Sequence, residues 1–312
     1  MLRLATFNIE NLDDDPDAVP PLAERLPVLR RILARLDADI LCLQEVNAGD
    51  ALDGLVHGTP WADFHRAVTT NAAGTRPRDV HNLVVLSRYP FREVRQVMHG
   101  FVPPLAWHWL AGGEETEMTF ERPLLHVRID VGGDRPLDVV DLHLRAPRPV
   151  VVPGGKATRA QWATVAAWAE GTFLAAMKRS GQALEARLLA EALLDDDDEA
   201  HIAIVGDFNA DGREVPIALL RADVEATGNG ELDGRSLVPL DGFVADSDRF
   251  TVRHGGRPVM LDHILLSRPL ARLCRGVEIL NRDLADELSA ERAGLADPAG
   301  YHAPIVARLV LP

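Results

Sequence analysis

Short apolar runs that stop at polar residues constrain the fold of this chain more than any other feature. In one of them, Ile202–Val205 is followed at once by Gly206, Asp207, Phe208 and Asn209. Such a run, rich in β-branched residues, is typical of a buried strand. Side chains two apart on a strand point to the same side, so Asp207 and Asn209 are expected to enter one pocket, with Phe208 opposite. Gly, Asp and Asn also form turns, so this segment alone is compatible with a simple strand end as well.

Strand-like runs of this kind alternate with helical patterns along the whole chain. Leucines at helical spacing predict a helix over 22–36, and an Ala- and Leu-rich stretch predicts a helical segment over 157–195. No Ser/Gly-rich linker divides the 312 residues. We therefore expect a single α/β domain, 1–312, with two similar layers, roughly 1–147 and 200–312, on either side of the helical segment. Helices are expected outside two packed sheets.

Charge and cysteine content exclude several classes of protein. Thirty-three basic and 47 acidic residues give a net charge of −14, which argues against a protein that coats polyanions nonspecifically. A local phosphate site that uses a bound cation remains compatible with this charge. The two cysteines, Cys42 and Cys274, suggest neither a disulfide framework nor a cysteine-based zinc site.

The chain contains no targeting or membrane-spanning pattern. The first strand-like run begins at Leu2, which leaves no room for a signal peptide, and no apolar run approaches the length of a membrane span. We therefore expect a cytoplasmic protein.

Seven polar residues at the ends of apolar runs form one chemical set. They are Asn8, Glu45, His143, Asp207, Asn209, Asp262 and His302. Each has an ordinary structural explanation when taken alone: His143 could be a satisfied core histidine, and Asp262 could cap a turn. Together they match what divalent-metal phosphoester hydrolysis requires. Oxygen ligands suit Mg²⁺, an Asp can activate water, and a His can stabilise phosphoryl oxygens.

The motifs that carry these residues also occur in a recognisable order. They are "TFNIEN", "LQEV", "LSRYP", "DLHL", "GDFNA", "LDHILLS" and "HAPIV". The chain resembles, over nearly its whole length, the endonuclease/exonuclease/phosphatase superfamily, also called deoxyribonuclease-I-like. That resemblance implies a four-layer α/β sandwich, in which two packed and mostly antiparallel sheets are flanked by helices.

The resemblance also implies roles around a metal. Glu45 would be the direct carboxylate ligand of Mg²⁺ or Mn²⁺, and Asn8 would lie at the metal beside it. Asp207 would position or activate the attacking water. Asn209 would orient Asp207 and touch the phosphate.

Two histidines would flank the scissile group in the same scheme. His302 would face the phosphate and pair with Asp262, although 40 positions separate them. His143 corresponds to the first histidine of the family and would lie on the other side of the group. A carboxylate beside an imidazole favours its charged form, which suits contact with a phosphate.

One position departs from the family pattern. Members usually carry an Asp directly before the last histidine, whereas this chain has Tyr301. A neutral phenol cannot replace a carboxylate as a metal ligand. We expect a single metal held mainly by Glu45, with the Tyr301 hydroxyl donating to a metal-bound water or to the phosphate. Alternatively, Asp283, Asp286 or Glu287 supplies the missing charge.

Other candidates concern substrate contacts. Arg122 and Arg145 are candidate phosphate ligands, because guanidinium forks match phosphate oxygens. Asn82, before the "LVVLS" run, is a candidate for lining the cleft. Trp107 and Trp109 could stack on a base, hold an acyl group, or plug the underside of a long loop.

The sequence thus predicts a Mg²⁺-dependent phosphoesterase that uses in-line attack of water on phosphorus. A nuclease is the commonest activity that the resemblance implies, and nucleic acid could be met at a local site. The acidic charge and the lack of a basic stripe favour a small or lipid phosphoester over long duplex DNA. Tyr301 leaves one alternative open: a catalytically weakened member that binds phosphate ligands or acts as a scaffold.

Overall fold

The computed structural model describes residues 1–312. Its strands, in chain order, are β1 (Leu2–Leu12), β2 (Ile40–Val46), β3 (His65–Val68), β4 (Asn82–Ser87), β5 (Phe91–Val97), β6 (Leu105–His108), β7 (Glu115–Met118), β8 (Leu124–Ile129), β9 (Leu137–His143), β10 (His201–Asp207), β11 (Leu237–Pro239), β12 (Val252–His254), β13 (Arg257–Val259), β14 (Asp262–Ser267), β15 (Cys274–Ile279) and β16 (Ile305–Leu309). Its α-helices are α1 (Leu22–Leu36), α2 (Gly49–Val56), α3 (Val165–Asp196), α4 (Val215–Arg221), α5 (Val224–Thr227), α6 (Arg268–Ala271) and α7 (Glu287–Ala293).

Twelve of the strands form two six-stranded sheets. Their orders are β15-β16-β1-β2-β4-β3 and β11-β14-β10-β9-β8-β5. Only β1–β2 and β9–β10 pair in parallel; the other pairs within these sheets are antiparallel. The remaining strands form the two-stranded hairpins β6-β7 and β12-β13.

Alternation along the strands builds three apolar layers. On β10, Ala203 and Val205 face the other sheet, whereas Ile202 and Ile204 face α3 and α4. The outer face of the first sheet packs against α1 and α2 in the same way. Burying both faces of each sheet explains why the central strands read as continuous apolar runs. The predicted α/β sandwich of two packed sheets with flanking helices is confirmed.

The layers do not follow the sequence ranges that we expected. Each sheet combines strands from both halves of the chain: β15 and β16 join β1–β4, and β5, β8 and β9 join β10, β11 and β14. The last strand lies beside the first one, because β16 pairs with β1 as well as with β15. Local pattern identifies strands but does not say which strands pair.

The long helix also begins later than predicted. Helix α3 starts at Val165, where the Thr164 hydroxyl caps the helix by accepting the Ala167 N–H. The preceding residues 157–164 instead form bends and one isolated bridge, between Trp162 and Lys156. None of the helices, including the 32-residue α3, combines the length and the apolar character needed to cross a membrane.

Candidate active site

The polar ends of the central strands meet at one edge of the sandwich. In the second sheet, the register places Asp207 opposite His143 on one side and opposite Asp262 on the other. The parallel β1–β2 pair delivers Asn8 and Glu45 from the first sheet to the same edge. The strand-end residues of the two sheets therefore face each other across a cleft.

The backbone leaves regular strand geometry where these residues occur. The pairing of β2 with both β1 and β4 shifts register before Val46, so Glu45 lies in a bulge, which redirects its side chain. Five of the eight non-glycine residues with positive φ border this region; they are Glu10, Asn11, Glu45, His81 and Asn209. Positive φ is costly for such residues and tends to cluster at functional sites.

Asn8 connects the two sheets. Its amide nitrogen lies 3.0 Å from Asp207 Oδ2 and 3.2 Å from Glu45 Oε1, and it donates to both. Its amide oxygen accepts the Glu10 N–H at 3.0 Å. We expected Asn8 at the metal. Asn8 therefore orients the two carboxylates, and its oxygen keeps a second lone pair, so its place at the metal stays a prediction.

Asp207 is surrounded by donors. Oδ1 accepts the Asn209 N–H at 2.8 Å, and Oδ2 accepts from the Asn209 side chain at 3.1 Å. His143 Nε2 lies 3.3 Å from Oδ2. Burial opposes ionisation of Asp207, but His143, His302 and the Asn209 N–H outweigh it and hold the pKa of this carboxyl well below its ordinary value. A buried carboxylate, not a carboxylic acid, occupies this position at neutral pH.

Glu45 is the second ionised carboxylate in the cleft. Oε2 accepts the Asn11 N–H at 3.2 Å, and His143 Nε2 lies 3.7 Å from Oε1. Burial would raise the pKa of Glu45, but His143, the Asn8 amide and His81 together lower it below the ordinary value. His81 Nδ1, 3.9 Å from Oε2, is buried and has no hydrogen-bond partner.

The predicted contact between Asp262 and His302 is present. His302 Nδ1 lies 2.8 Å from Asp262 Oδ2. Burial would lower the pKa of His302, but the Asp262 carboxylate raises it well above its ordinary value, with Asp207 and Glu10 adding to the effect. His302 is therefore an imidazolium at neutral pH.

A further carboxylate, Glu10, was missed by the sequence analysis. Its Oε1 accepts the Tyr301 N–H at 2.7 Å, and the side chain lines the cleft with Glu45 and His302. Burial raises the pKa of Glu10; His302 opposes that change and Glu45 adds to it. The available signal was the motif "TFNIEN", in which Glu10 lies two residues after Asn8.

Tyr301 takes a different position from the one expected. Its ring borders the cleft, but its hydroxyl accepts the Asp297 N–H at 3.3 Å and lies 3.5 Å from Leu295 O. The expected donation from this hydroxyl to a phosphate or a metal-bound water is therefore not supported. Glu10 brings a carboxylate to the backbone of Tyr301, and Glu287, from the predicted segment 283–287, also lines the cleft, 3.2 Å from His254 Nδ1.

The substrate-contact candidates divide into two groups. Arg122 and Arg145 both line the cleft, where Arg122 donates to Leu144 O and Arg145 pairs with Glu121. Asn82 does not line it. The Asn82 amide nitrogen donates to Val46 O and Arg78 O, and its oxygen accepts from Thr69 and from the Arg78 N–H. Asn82 is a structural residue, and its neighbour His81 reaches the cleft instead.

The donor set in the cleft fits a hard divalent cation. Glu10 and Glu45 line the same space, and the charge of Glu45 adds to the raised pKa of Glu10. A dication would neutralise both through oxygen ligands. Asp207, Asp262 and His302 also place one potential ligand atom each within 4.8 Å of one another. The pair of glutamates offers oxygen ligands alone, which suits a hard cation better than a group that includes a histidine.

Comparisons with known proteins place this geometry in context. The chain matches the Endonuclease/Exonuclease/phosphatase family over residues 5–286. An AP endonuclease from Archaeoglobus fulgidus is similar in structure, at 15% identity and a TM-score of 0.56, with 100% of each chain covered. A mannosyl-6-phosphatase from Bacteroides thetaiotaomicron has 13% identity and a TM-score of 0.62, again with 100% of each chain covered.

A third structure, the catalytic domain of human Nocturnin, has 14% identity and a TM-score of 0.57, with 98% of this chain and 93% of that chain covered. No curated protein sequence gave a significant match. At these identities the structural likeness supports the fold alone, whereas the family match extends over most of the chain. The protein belongs to the Endonuclease/Exonuclease/phosphatase family.

Proposed function

We propose that this protein hydrolyses a small phosphoester by in-line attack of water on phosphorus, with Mg²⁺ or Mn²⁺ bound in the cleft. Family membership supports phosphoesterase chemistry in general. The observation that carries the specific proposal is the pair of ionised carboxylates, Asp207 and Glu45, which Asn8 holds together from opposite sheets. Asp207 can orient the attacking water while Glu45 binds the cation.

Asp207 is the proposed base that orients the attacking water and accepts its proton. Three donor groups, from Asn8 and Asn209, fix its two oxygens, so its orientation does not depend on the substrate. Its lowered pKa makes it a weak base in isolation. Orientation of the water is therefore its main contribution in this scheme.

Glu45 and Glu10 are the proposed ligands of the divalent cation. When bound, the cation polarises the phosphoryl oxygens and stabilises the charge on the leaving oxygen. Asn8 holds Glu45, and the Tyr301 N–H holds Glu10, so both carboxylates are restrained before anything binds. A restrained site of this kind needs little reorganisation when phosphate arrives.

Groups that can contact phosphoryl oxygens line the remaining walls of the cleft. His302, kept protonated by Asp262, is proposed to stabilise one phosphoryl oxygen, and His143 another. Burial lowers the pKa of Arg122, and the charges of Glu45 and Asp207 oppose that change. Arg122 remains charged because the ordinary pKa of arginine is so high, and it can contact the phosphate.

The size of the cleft favours a small substrate. Its volume of about 730 Å³ lies within the range of small-molecule sites. Arg145 and Arg148 form a local basic rim, but the chain as a whole carries a charge of −14. Long duplex DNA would meet repulsion beyond this rim.

The alternative role as a noncatalytic binding module loses its main support. That alternative rested on Tyr301 in place of the usual Asp. Glu10 brings a carboxylate to the backbone of Tyr301 itself, so the cleft does not lack the second acidic group.

A hydrolysis panel tests the proposal. Substrates are single- and double-stranded DNA, RNA, an inositol phosphate, sphingomyelin and an aryl phosphodiester, each with Mg²⁺, Mn²⁺ or EDTA. We expect metal-dependent turnover of a small or lipid phosphoester, abolished by EDTA and absent from Asp207→Asn. Turnover that persists in EDTA, or no turnover of any substrate, would count against it.

A further inference from the structure

An exposed apolar surface lies beside the cleft, and nothing in the proposed chemistry uses it. Helix α3 contributes Val165, Trp168 and Phe173, of which Val165 is 80% and Phe173 51% exposed. The hairpin β6-β7 contributes Leu105 and the neighbouring Leu110, which is 73% exposed. Large apolar side chains grouped in this way on a water-facing surface indicate a contact with an apolar partner.

The two parts of this apolar surface are joined to each other. The rings of Trp107 and Phe173 lie 5.5 Å apart, so hairpin and helix are in contact. Buried Glu170 on α3 accepts hydrogen bonds from Trp107 Nε1 and from the Leu110 N–H, both at 3.0 Å. The hairpin is therefore fixed on the helix, and its exposed side chains form part of one rigid surface.

The exposed side of the first turns of α3 carries no charge. From Val165 to Met177, the only ionisable residue is Glu170, and that side chain points inward to the hairpin. A surface helix of an isolated globular protein usually carries polar residues on its solvent side. The opposite arrangement here indicates that this side is normally covered.

The charge of the segment that adjoins this apolar surface indicates what kind of partner covers the surface. Residues 142–169 contain four basic residues and no acidic residue, in a chain whose net charge is −14. They are Arg145, Arg148, Lys156 and Arg159. Arg145 and Arg148 line the cleft, and the Val150 N–H donates to Gly171 O of α3 at 2.9 Å. Basic residues therefore run from the cleft along the edge of the apolar surface.

Tryptophan is concentrated at the same place. Four of the five tryptophans lie in or beside this surface; the exception, Trp61, is buried against the first sheet. The Lys156 ammonium lies 4.0 Å from the centre of the Trp162 ring. Indole rings with basic neighbours suit the boundary between hydrocarbon and phosphate groups in a phospholipid bilayer.

We infer that this surface, formed by the start of α3, the β6-β7 hairpin and the segment 145–162, docks reversibly on a phospholipid bilayer. The exposed residues are largely aliphatic or indole, which suits insertion among acyl chains better than stacking of bases. The hairpin also carries Glu114, Glu115 and Glu117, so general electrostatic attraction is limited. Apolar insertion provides most of the binding, and Lys156 and Arg159 add contacts with lipid phosphates. The inference does not depend on the proposed hydrolysis, because docking requires no turnover.

Co-sedimentation with vesicles tests the inference. Vesicles of phosphatidylcholine, alone or mixed with phosphatidylglycerol, are combined with the parent protein and with Trp168→Gln, Phe173→Gln and Leu110→Gln. We expect binding by the parent and at least a tenfold weaker partition for Phe173→Gln combined with Leu110→Gln. Phe243→Gln is the matched control, since Phe243 is 54% exposed but lies elsewhere, and it should bind like the parent.

Lys156→Gln combined with Arg159→Gln should reduce binding to mixed vesicles more than binding to phosphatidylcholine alone. Tryptophan fluorescence with brominated lipid gives an independent reading, and we expect quenching in the parent that is reduced in Trp168→Gln. The inference is overturned if the parent stays in the supernatant with both vesicle types. It is also overturned if light scattering shows a dimer that Phe173→Gln dissociates while no vesicles are bound, since a second copy would then cover the surface.

Discussion

Asn8 and Asp207, 199 positions apart in the chain, are joined by a hydrogen bond of 3.0 Å that spans the two sheets. The same amide nitrogen holds Glu45. Asn8 therefore sets the spacing between the two carboxylates, and hence the spacing between the water and the metal ion in the proposed reaction.

Asn8→Ala should therefore lower kcat by about tenfold to a hundredfold, the scale of a lost orienting contact near a reacting group. Steady-state hydrolysis of an aryl phosphodiester measures this. Asn71→Ala, at a half-buried loop asparagine whose side chain forms hydrogen bonds with Thr75, is the control and should behave like the parent. An unchanged kcat for folded Asn8→Ala would show that the bridge has no role in turnover.

Asp207→Asn and His302→Ala should each reduce hydrolysis by at least roughly a hundredfold. Asp207→Asn removes the proposed base. His302→Ala removes the imidazolium that Asp262 keeps protonated. Asp246→Asn, a change at an exposed carboxylate, serves as the control for charge alone. Near-parental turnover by either folded variant would remove that residue from the mechanism.

The pH dependence should report on the pair of His302 and Asp262. The raised pKa of His302 means that its imidazolium persists through neutral pH and is lost only as pH rises toward that raised value. The profile of kcat/KM should therefore fall on its alkaline side. Asp262→Asn removes the main cause of the raised pKa, so the alkaline fall should move to lower pH. A profile that stays at the parental position would contradict the pairing as its cause.

Glu10→Gln should weaken Mg²⁺ binding, because it removes one of the two proposed carboxylate ligands. Tyr301→Asp should strengthen it by adding a carboxylate beside Glu10. Tyr301→Phe should leave both Mg²⁺ affinity and KM near parental values, since the hydroxyl contacts residues 295–297. Calorimetric titration of Mg²⁺ into the four proteins compares them directly. Equal affinities for Glu10→Gln and the parent would exclude Glu10 as a ligand.

Much of this site could be predicted, because the side-chain alternation of a strand and the order of the motifs can both be read from the sequence. Alternation places Asp207 at the end of β10, and motif order then suggests Glu45, His143, Asp262 and His302 as its neighbours. The Asp262–His302 contact was predicted and is present at 2.8 Å.

The gaps and errors arise where tertiary contacts decide which atom faces the cleft. A sequence does not show that Asn8 bridges Glu45 and Asp207 across the two sheets. Nor does it show that a left-handed backbone at His81 brings that ring to the cleft while Asn82 turns into the structure. Glu10 lies near the end of β1, and its place in the motif does not show that it faces the cleft. Its role as a candidate ligand becomes visible only in the fold, where the Tyr301 N–H donates to it.

Hydrolysis in heavy-oxygen water tests the central claim most directly. The parent protein and Asp207→Asn are incubated with Mg²⁺ and an aryl phosphate ester, and the products are analysed by mass spectrometry. The account predicts that the parent incorporates heavy oxygen into the phosphate product and none into the alcohol, and that Asp207→Asn forms little product. Label in the alcohol, or equal product formation by the two proteins, would contradict attack of water on phosphorus in this cleft.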